Sequence, residues 1–256
     1  IKIEPAETIS NNTIYTAFVR LFGSARNQDA VQPQHQAAVD QLAKANYSVL
    51  PPSGTFRDLI QQLDFIIGHL RCHIIQLLPI HPTPTTYARM GQYGSPFAAL
   101  DLMDIDPALA EFDRATTPLD QFQELVDAIH QRNARIYLDM PINHTGWASH
   151  LQNHHPEWFA RNPADDTFKS PGAWGILWED LSKLDYTNRD LWRYMADVFL
   201  FWCRRGVDGF RCDAGYKVPI PTWRYIIAKV RLEYPETIFM LEGLGGDPSI
   251  TEQLLD

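Results

Sequence analysis

Three cysteines in 256 residues, Cys72, Cys203 and Cys212, are too few and too odd in number for a disulfide framework, and none shares metal-pair spacing. They read as reduced core thiols, which suits a cytoplasmic protein. Basic residues are also short: 22 Lys and Arg stand against 31 Asp and Glu, a formal net charge of −9. Nucleic-acid binding draws its affinity from clustered Lys and Arg that neutralise phosphates, so that partner is not expected and a neutral small substrate is. No apolar run approaches the roughly 20 residues of a membrane span, and Ile1-Lys2-Ile3-Glu4-Pro5 shows no basic stretch leading into an apolar one. Neither a membrane nor a signal peptide is expected. Internal repeats, low-complexity tracts and linkers are missing too. His150, His154 and His155 lie close in sequence, but without a His-Glu-x-x-His spacing or a carboxylate partner they read as loop histidines, and no metal or cofactor is expected.

What is present is a globular composition, 45% hydrophobic and 21% charged, arranged as short β-branched or aromatic runs alternating with helix-period segments. That alternation is the signature of βα units around a parallel sheet. Strands are predicted at Ile14–Val19, His73–Leu78, Arg135–Met140, Gly209–Asp213 and Ile238–Glu242. Helices are predicted at Phe56–Leu70, Leu119–Arg132, Asp190–Arg205 and Thr222–Tyr234. In the second of these Leu119, Phe122, Leu125, Val126 and Ile129 fall on one face, to be laid on the sheet. Residues 24–52, rich in Gln and Ala, read as an excursion between the first strand and its helix. From Thr145 to Leu184 a long stretch carries Trp147, Trp158, Trp174 and Trp178 among Gly, Pro and Asn. A connection of that length inside a βα repeat is functional or an inserted domain. Its tryptophans either stack on a ligand or build the insertion's own core.

Three strand ends finish in acidic or paired polar groups: Asp139, Asn143 and His144 after the third strand, Arg211 and Asp213 on the fourth, and Glu242 on the fifth. In a parallel barrel such ends converge on one face, where active sites are built. A lone carboxylate after an apolar strand is more often a helix cap or an ion-pair partner than a catalyst, but three in succession shift that balance. Arg211 and Asp213 are two apart on a strand, so their side chains leave the same face and the guanidinium is expected to hold Asp213 ionised. Glu242 has no cation beside it in sequence and is expected to keep a raised pKa, as a proton donor to a leaving oxygen requires.

The segments Asp139-Met140-Pro141-Ile142-Asn143-His144, Gly209-Phe210-Arg211-Cys212-Asp213 and Ile238-Phe239-Met240-Leu241-Glu242 resemble, in order and on their strands, three signature regions of the α-amylase superfamily, family 13 of the glycoside hydrolases. The resemblance implies an α/β fold of the TIM (β/α)8 type. It also implies a retaining enzyme, hydrolase or transglycosylase, acting on an α-glucan or malto-oligosaccharide at α-1,4 or α-1,6 bonds. Carried over residue by residue, Asp213 is nucleophile, Glu242 acid/base and Arg211 the nucleophile's partner. His144 becomes a sugar ligand, with Asp139 and Asn143 supporting it. The run from Gly94 to Pro107 is similar to the family's segment after the second strand, which makes Phe97 a stacking aromatic; Tyr216 and Lys217, just past the nucleophile, complete the expected substrate-binding set. Many members hold calcium with an aspartate and a histidine where this chain has Lys183 and Lys217, and ammonium groups are poor company for a hard cation. Lys183 is similar to the neopullulanase and cyclomaltodextrinase group. His155 to Phe159, Pro219 and Trp223 are instead similar to the maltosyltransferases that use maltose 1-phosphate, so the subfamily stays open.

On this reading residues 1–144 are the first part of the barrel, 145–188 the insertion after strand three, and 189–256 the continuation through strand five. The fold is then truncated after the fifth strand. The missing C-terminal part of its own barrel becomes a partner the chain needs, because a five-stranded parallel sheet has two unpaired edges. The family's third essential carboxylate has no counterpart here, since Asp247, Glu252 and Asp256 end no sixth strand. The competing expectation is a non-catalytic amylase-like scaffold, against which the joint presence of Arg211, Asp213, Glu242 and His144 argues.

Overall fold

A computed structural model describes residues 13–23, 33–45, 53–85, 94–243 and 248–255. The elements, in chain order, begin with β1 (Ile14–Ala17), α1 (Pro33–Lys44), α2 (Phe56–Ile60) and β2 (Ile74–Leu77). They continue with α3 (Pro118–His130), β3 (Arg135–Met140), β4 (His144–Gly146), α4 (His150–His154), β5 (Gly172–Ala173), β6 (Ile176–Leu177) and β7 (Leu181–Lys183). The last are α5 (Arg189–Cys203), β8 (Gly209–Cys212), α6 (Ile220–Glu233), β9 (Ile238–Leu241) and α7 (Pro248–Leu255). Of the expected excursion 24–52, residues 33–45 carry α1 and the rest lie outside the described residues, as do Asp247 and Asp256.

Strands β1, β2, β3, β8 and β9 form one parallel sheet in that spatial order. Spatial order thus follows chain order without reversal, which is how strands run around a barrel wall; a doubly wound sheet reverses direction at a switch point. The central strands are buried on both faces, as Ile74 to Leu77 and Ile136 to Met140 show, and apolar composition rather than alternation is what such strands need. Gly209 opens β8 under Tyr137, whose ring would lie 2.7 Å from an added Cβ.

The helices start where the sequence supplies caps. Thr117 accepts from the Asp120 N–H while Asp120 accepts from Thr117, with Pro118 in the first turn. Asn188 caps α5 through the Asp190 N–H at 2.9 Å. Each reciprocal or single cap satisfies donors that the first turn leaves unpaired. Helix α5 then buries Leu191, Met195, Val198, Phe199 and Trp202. Phe199 meets Phe210 of β8 edge-on at 4.8 Å, and Trp202 meets Phe122 of α3 at 5.4 Å. Burying each such side chain contributes about 1.5–3 kcal/mol. The helix expected over Phe56–Leu70 is instead α2 followed by a π-helical turn at Asp64–His69. The wider turn brings the consecutive Ile66 and Ile67 both into the core while Phe65 stays exposed.

Between β3 and α5 the chain pairs β4 antiparallel with β7 and β5 antiparallel with β6. Its apolar residues Leu151, Trp158, Phe159 and Leu184 join the same continuous core as the sheet and helices, so this segment is fused to the sheet's rim by hydrophobic contact.

Candidate active site

Because the sheet is parallel, the ends of β3, β8 and β9 meet on one side. Asp139 is level with Arg211, and Arg211 with Met240. Asp213 and Glu242 each stand one residue past the strand expected to include them, yet their backbones extend the ladder: Asp213 N–H donates to Met140 C=O and Glu242 N–H to Cys212 C=O, both at 3.1 Å. After Asp213 the chain turns through Ala214 in the left-handed region, φ 49° and ψ 36°. A non-glycine residue there is costly and is held by its surroundings. The Ala214 N–H donates to Glu242 Oε2 at 2.7 Å, the Tyr216 N–H to Glu242 C=O at 3.0 Å, and buried Trp223 donates its indole N–H to Gly215 C=O at 2.9 Å. Gly215 allows this approach, since an added Cβ would stand 3.0 Å from the Glu242 nitrogen.

Arg211 is the centre. Its Nη1 donates to both oxygens of Asp139 at 2.9 and 3.0 Å and to Asp213 Oδ1 at 2.9 Å, while Nη2 lies 3.1 Å from Glu242 Oε2. Three carboxyl groups thus share one guanidinium. This corrects the expectation that Glu242 lacks a cation: none adjoins it in sequence, but strand register supplies one. The expectation that Arg211 alone sets the charge of Asp213 also changes. Burial raises the Asp213 pKa from its ordinary value, with Arg211 acting against it. Asp139, 2% exposed, is pushed up to about 7 by burial, opposed by Arg211 and reinforced by the charges of Asp213 and Glu242.

His144 is buried beside this cluster. Its Nδ1 lies 3.3 Å from Asn143 Nδ2, and its Nε2, 4.0 Å from Asp213 Oδ2, has no hydrogen-bond partner among the described residues. Burial lowers its pKa to about 4, against a backbone hydrogen bond at Phe97, so the ring is neutral at pH 7. An orphaned buried nitrogen is costly, and this one fronts a cavity of about 220 Å³ lined by Ser95, Phe97, His144, Trp178, Asp180, Leu181 and Asp213. Phe97 and Asp213 therefore line one cavity with His144; Arg211 ties Asp139 and Glu242 to Asp213, and Asn143 lies beside His144. Tyr216 and Lys217 follow the turn, Lys217 Nζ lying 5.1 Å over the Tyr216 ring. Sequence reasoning did not single out Ser95 or Asp180, and named Trp178 only among four tryptophans. The β4–β7 pairing brings Trp178 edge-on to His144 at 6.1 Å, and burial raises the Asp180 pKa. Lys183 stands opposite His144 in that pair, its pKa lowered by burial and by Lys169 and Lys217. Among the described residues no group of three His, Cys, Asp or Glu side chains is placed to hold a metal ion.

A cavity beside a carboxyl cluster at the ends of parallel strands has known counterparts. Residues 22–237 match the model of the alpha amylase catalytic domain. An alpha-1,4-glucan:maltose-1-phosphate maltosyltransferase of Burkholderia pseudomallei is 34% identical over 200 residues, covering 74% of this chain and 17% of that protein. One of Cereibacter sphaeroides is 30% identical over 206 residues, 74% of this chain and 29% of that protein. An alpha-amylase structure from Lactobacillus plantarum superposes with a TM-score of 0.75 at 29% identity over 96% of this chain and 52% of its own. A maltogenic alpha-amylase structure from Thermotoga neapolitana does so with a TM-score of 0.70 at 25% identity, over 96% of this chain and 48% of its own. The chain thus spans about half of these solved structures and less than a third of these two curated relatives. A match over most of its residues, on a parallel sheet in barrel-wall order, establishes that the chain belongs to the alpha-amylase catalytic-domain family.

Proposed function

We propose that this site cleaves α-glucosidic bonds with retention. An oxygen of Asp213 attacks the anomeric carbon, the glycosidic C–O bond breaks, and Glu242 gives its proton to the leaving oxygen. The Glu242 carboxylate then takes a proton from water or a sugar hydroxyl, whose oxygen attacks the same carbon and releases Asp213. Two inversions leave the configuration as it began. The observation that carries this reading is the single guanidinium of Arg211 bridging Asp213 and Glu242, with Asp139 behind it. Two carboxyls on one guanidinium are neighbours, and the retaining mechanism needs such a pair with about 5–5.5 Å between them. The neutral His144, with Nε2 turned to the cavity, donates to or accepts from a sugar hydroxyl. Phe97 and Trp178 supply the apolar walls against which sugar C–H faces rest. The joint presence of Arg211, Asp213, Glu242 and His144 in one arrangement argues against a non-catalytic scaffold.

We further propose that the five strands are staves of a closed (β/α)8 wall with residues 145–188 as its insertion domain. What supports this is that β9 is half-exposed along its whole length and β1 over most of its own; further strands would cover those edges. The donor is an α-glucan or, by analogy with the relatives' names, a glycosyl phosphate. Incubating the intact protein with maltoheptaose, with pullulan, and with maltose 1-phosphate plus a glucan acceptor, and resolving products over time, separates hydrolysis from transfer. Absence of product from all three, with Asp213→Asn as the blank, would overturn the reading.

A further inference from the structure

Three of the four tryptophans between β3 and α5 have structural partners. Trp158 is buried and stacked on His155 at 3.9 Å, Trp147 packs on Phe168 and donates to Glu179 C=O, and Trp178 faces His144. Trp174 is different. It sits at the tip of the β5–β6 hairpin with φ 51°, followed by Gly175 with φ 77°, so both loop residues are left-handed, the geometry of a tight two-residue hairpin turn. Asn, Asp or Gly suits the first of these positions, and a bulky aromatic there is a conformational outlier of the kind that clusters at ligand sites. The ring is 70% exposed, and Ile176 and Leu177 beside it are 64% and 58% exposed. Its one aromatic neighbour among the described residues is Tyr216, with centroids 6.5 Å apart and planes inclined by 34°.

Tyr216 fixes where this ring stands relative to the chemistry. Its N–H donates to Glu242 C=O, and its phenol is shifted upward by burial and then by the charges of Glu242 and Asp213. The hairpin therefore overhangs the Glu242 side of the cluster, while Phe97, Trp178 and Asp180 close the cavity beside His144. An acid that protonates the leaving oxygen lies on the side of the departing sugar, and an incoming acceptor docks on the same side by microscopic reversibility. A flat, exposed indole matches the apolar face of a pyranose ring, and Lys217, over Tyr216, offers donors to its hydroxyls.

We propose that Trp174, carried on the β5–β6 hairpin and backed by Tyr216, is a stacking platform for a glucosyl ring on the leaving-group and acceptor side of the cleaved bond. The sidedness rests on Glu242 being the acid. The test uses the intact protein. Calorimetric affinity for maltoheptaose is measured in Asp213→Asn, which holds substrate without turning it over, and in the same background with Trp174→Ala or Trp174→Tyr. The alanine variant weakens binding roughly tenfold, the worth of one stacked ring, and tyrosine restores most of it. In the active enzyme Trp174→Ala lowers kcat/KM on maltoheptaose by a similar factor and leaves hydrolysis of α-glucosyl fluoride, which has no sugar beyond the cleaved bond, unchanged. Unaltered maltoheptaose affinity overturns the platform. So does a change of sedimentation behaviour without a change of affinity, since the apolar tip would then join two copies of the chain. Equal losses on both substrates place the platform on the wrong side. If Trp174-dependent binding persists in a wild-type protein that turns over neither substrate, the platform stands and the catalytic reading of Asp213 and Glu242 falls.

Discussion

Replacing Asp139 by Asn is expected to change how stability depends on pH. In an unfolded chain aspartate titrates near 3.9, whereas burial pushes the folded Asp139 up to about 7. Between roughly pH 4 and pH 7 the folded protein therefore holds a proton at this site that the unfolded chain has released. The folded state binding more protons means that stability contributed here is present at low pH and is lost as pH rises through that window. About three units at 1.36 kcal/mol each set a scale of about 4 kcal/mol. At about 2–4 °C per kcal/mol for a domain of this size, that is on the order of 10 °C in Tm. Asparagine is nearly isosteric, still offers one oxygen to Arg211, and cannot ionise. Thermal unfolding of wild type and Asp139→Asn, followed by circular dichroism from pH 4 to pH 8, should show the variant's relative Tm climbing with pH, most steeply between about pH 5 and pH 6 and levelling off above pH 7. Asp213, also shifted upward, adds a slope of the same sign in both proteins, and because it is coupled to Asp139 through Arg211 the difference profile belongs to the pair. Parallel Tm profiles across the range would refute the placement of Asp139 as a buried carboxyl that Arg211 only partly compensates.

Asp213→Asn should abolish turnover of maltoheptaose while shifting Tm by no more than a few degrees, because one carboxyl of the three sharing Arg211 is changed and the core is untouched; a collapse in Tm would mean the residue is structural. Glu242→Gln should lose far more activity on maltoheptaose than on α-glucosyl fluoride, whose leaving group needs no proton, and equal losses would remove it from the acid role. Chelator treatment should leave Tm unchanged, since Lys183 and Lys217 stand where other members place calcium ligands. A large drop would show that a metal stabilises the fold elsewhere.

The alternation of apolar runs with amphipathic helices made the five parallel strands legible, because a doubly buried strand and a one-faced helix leave different periods in the sequence. The pairing of Arg211 with Asp213 was legible for the same reason, being two residues apart. Its contact with Glu242 was not, since that depends on Arg211 lying level with Met240 across 29 residues. Ser95, Trp178 and Asp180 reach the cavity from irregular segments, where no period announces which side chain turns inward. The π-helical turn after α2 was hidden because local propensity reads Leu63 to Leu70 as ordinary helix.

Since spatial order repeats chain order from β1 to β9, each strand, as it emerges from the ribosome, finds its partner already at the growing edge. No strand waits for a later one to be threaded between it and its neighbour, so the sheet can lengthen one βα unit at a time during synthesis. The carboxyl cluster follows the same timetable. Asp139 arrives with β3, Arg211 joins it with β8, and Glu242 comes only with β9, 29 residues on from Asp213. Until then Arg211 has two acids and Ala214 lacks the Glu242 side chain that holds its left-handed turn. A nascent chain stopped short of β9 would thus carry four of these five strands and two of the three acids, with the left-handed turn at Ala214 not yet held.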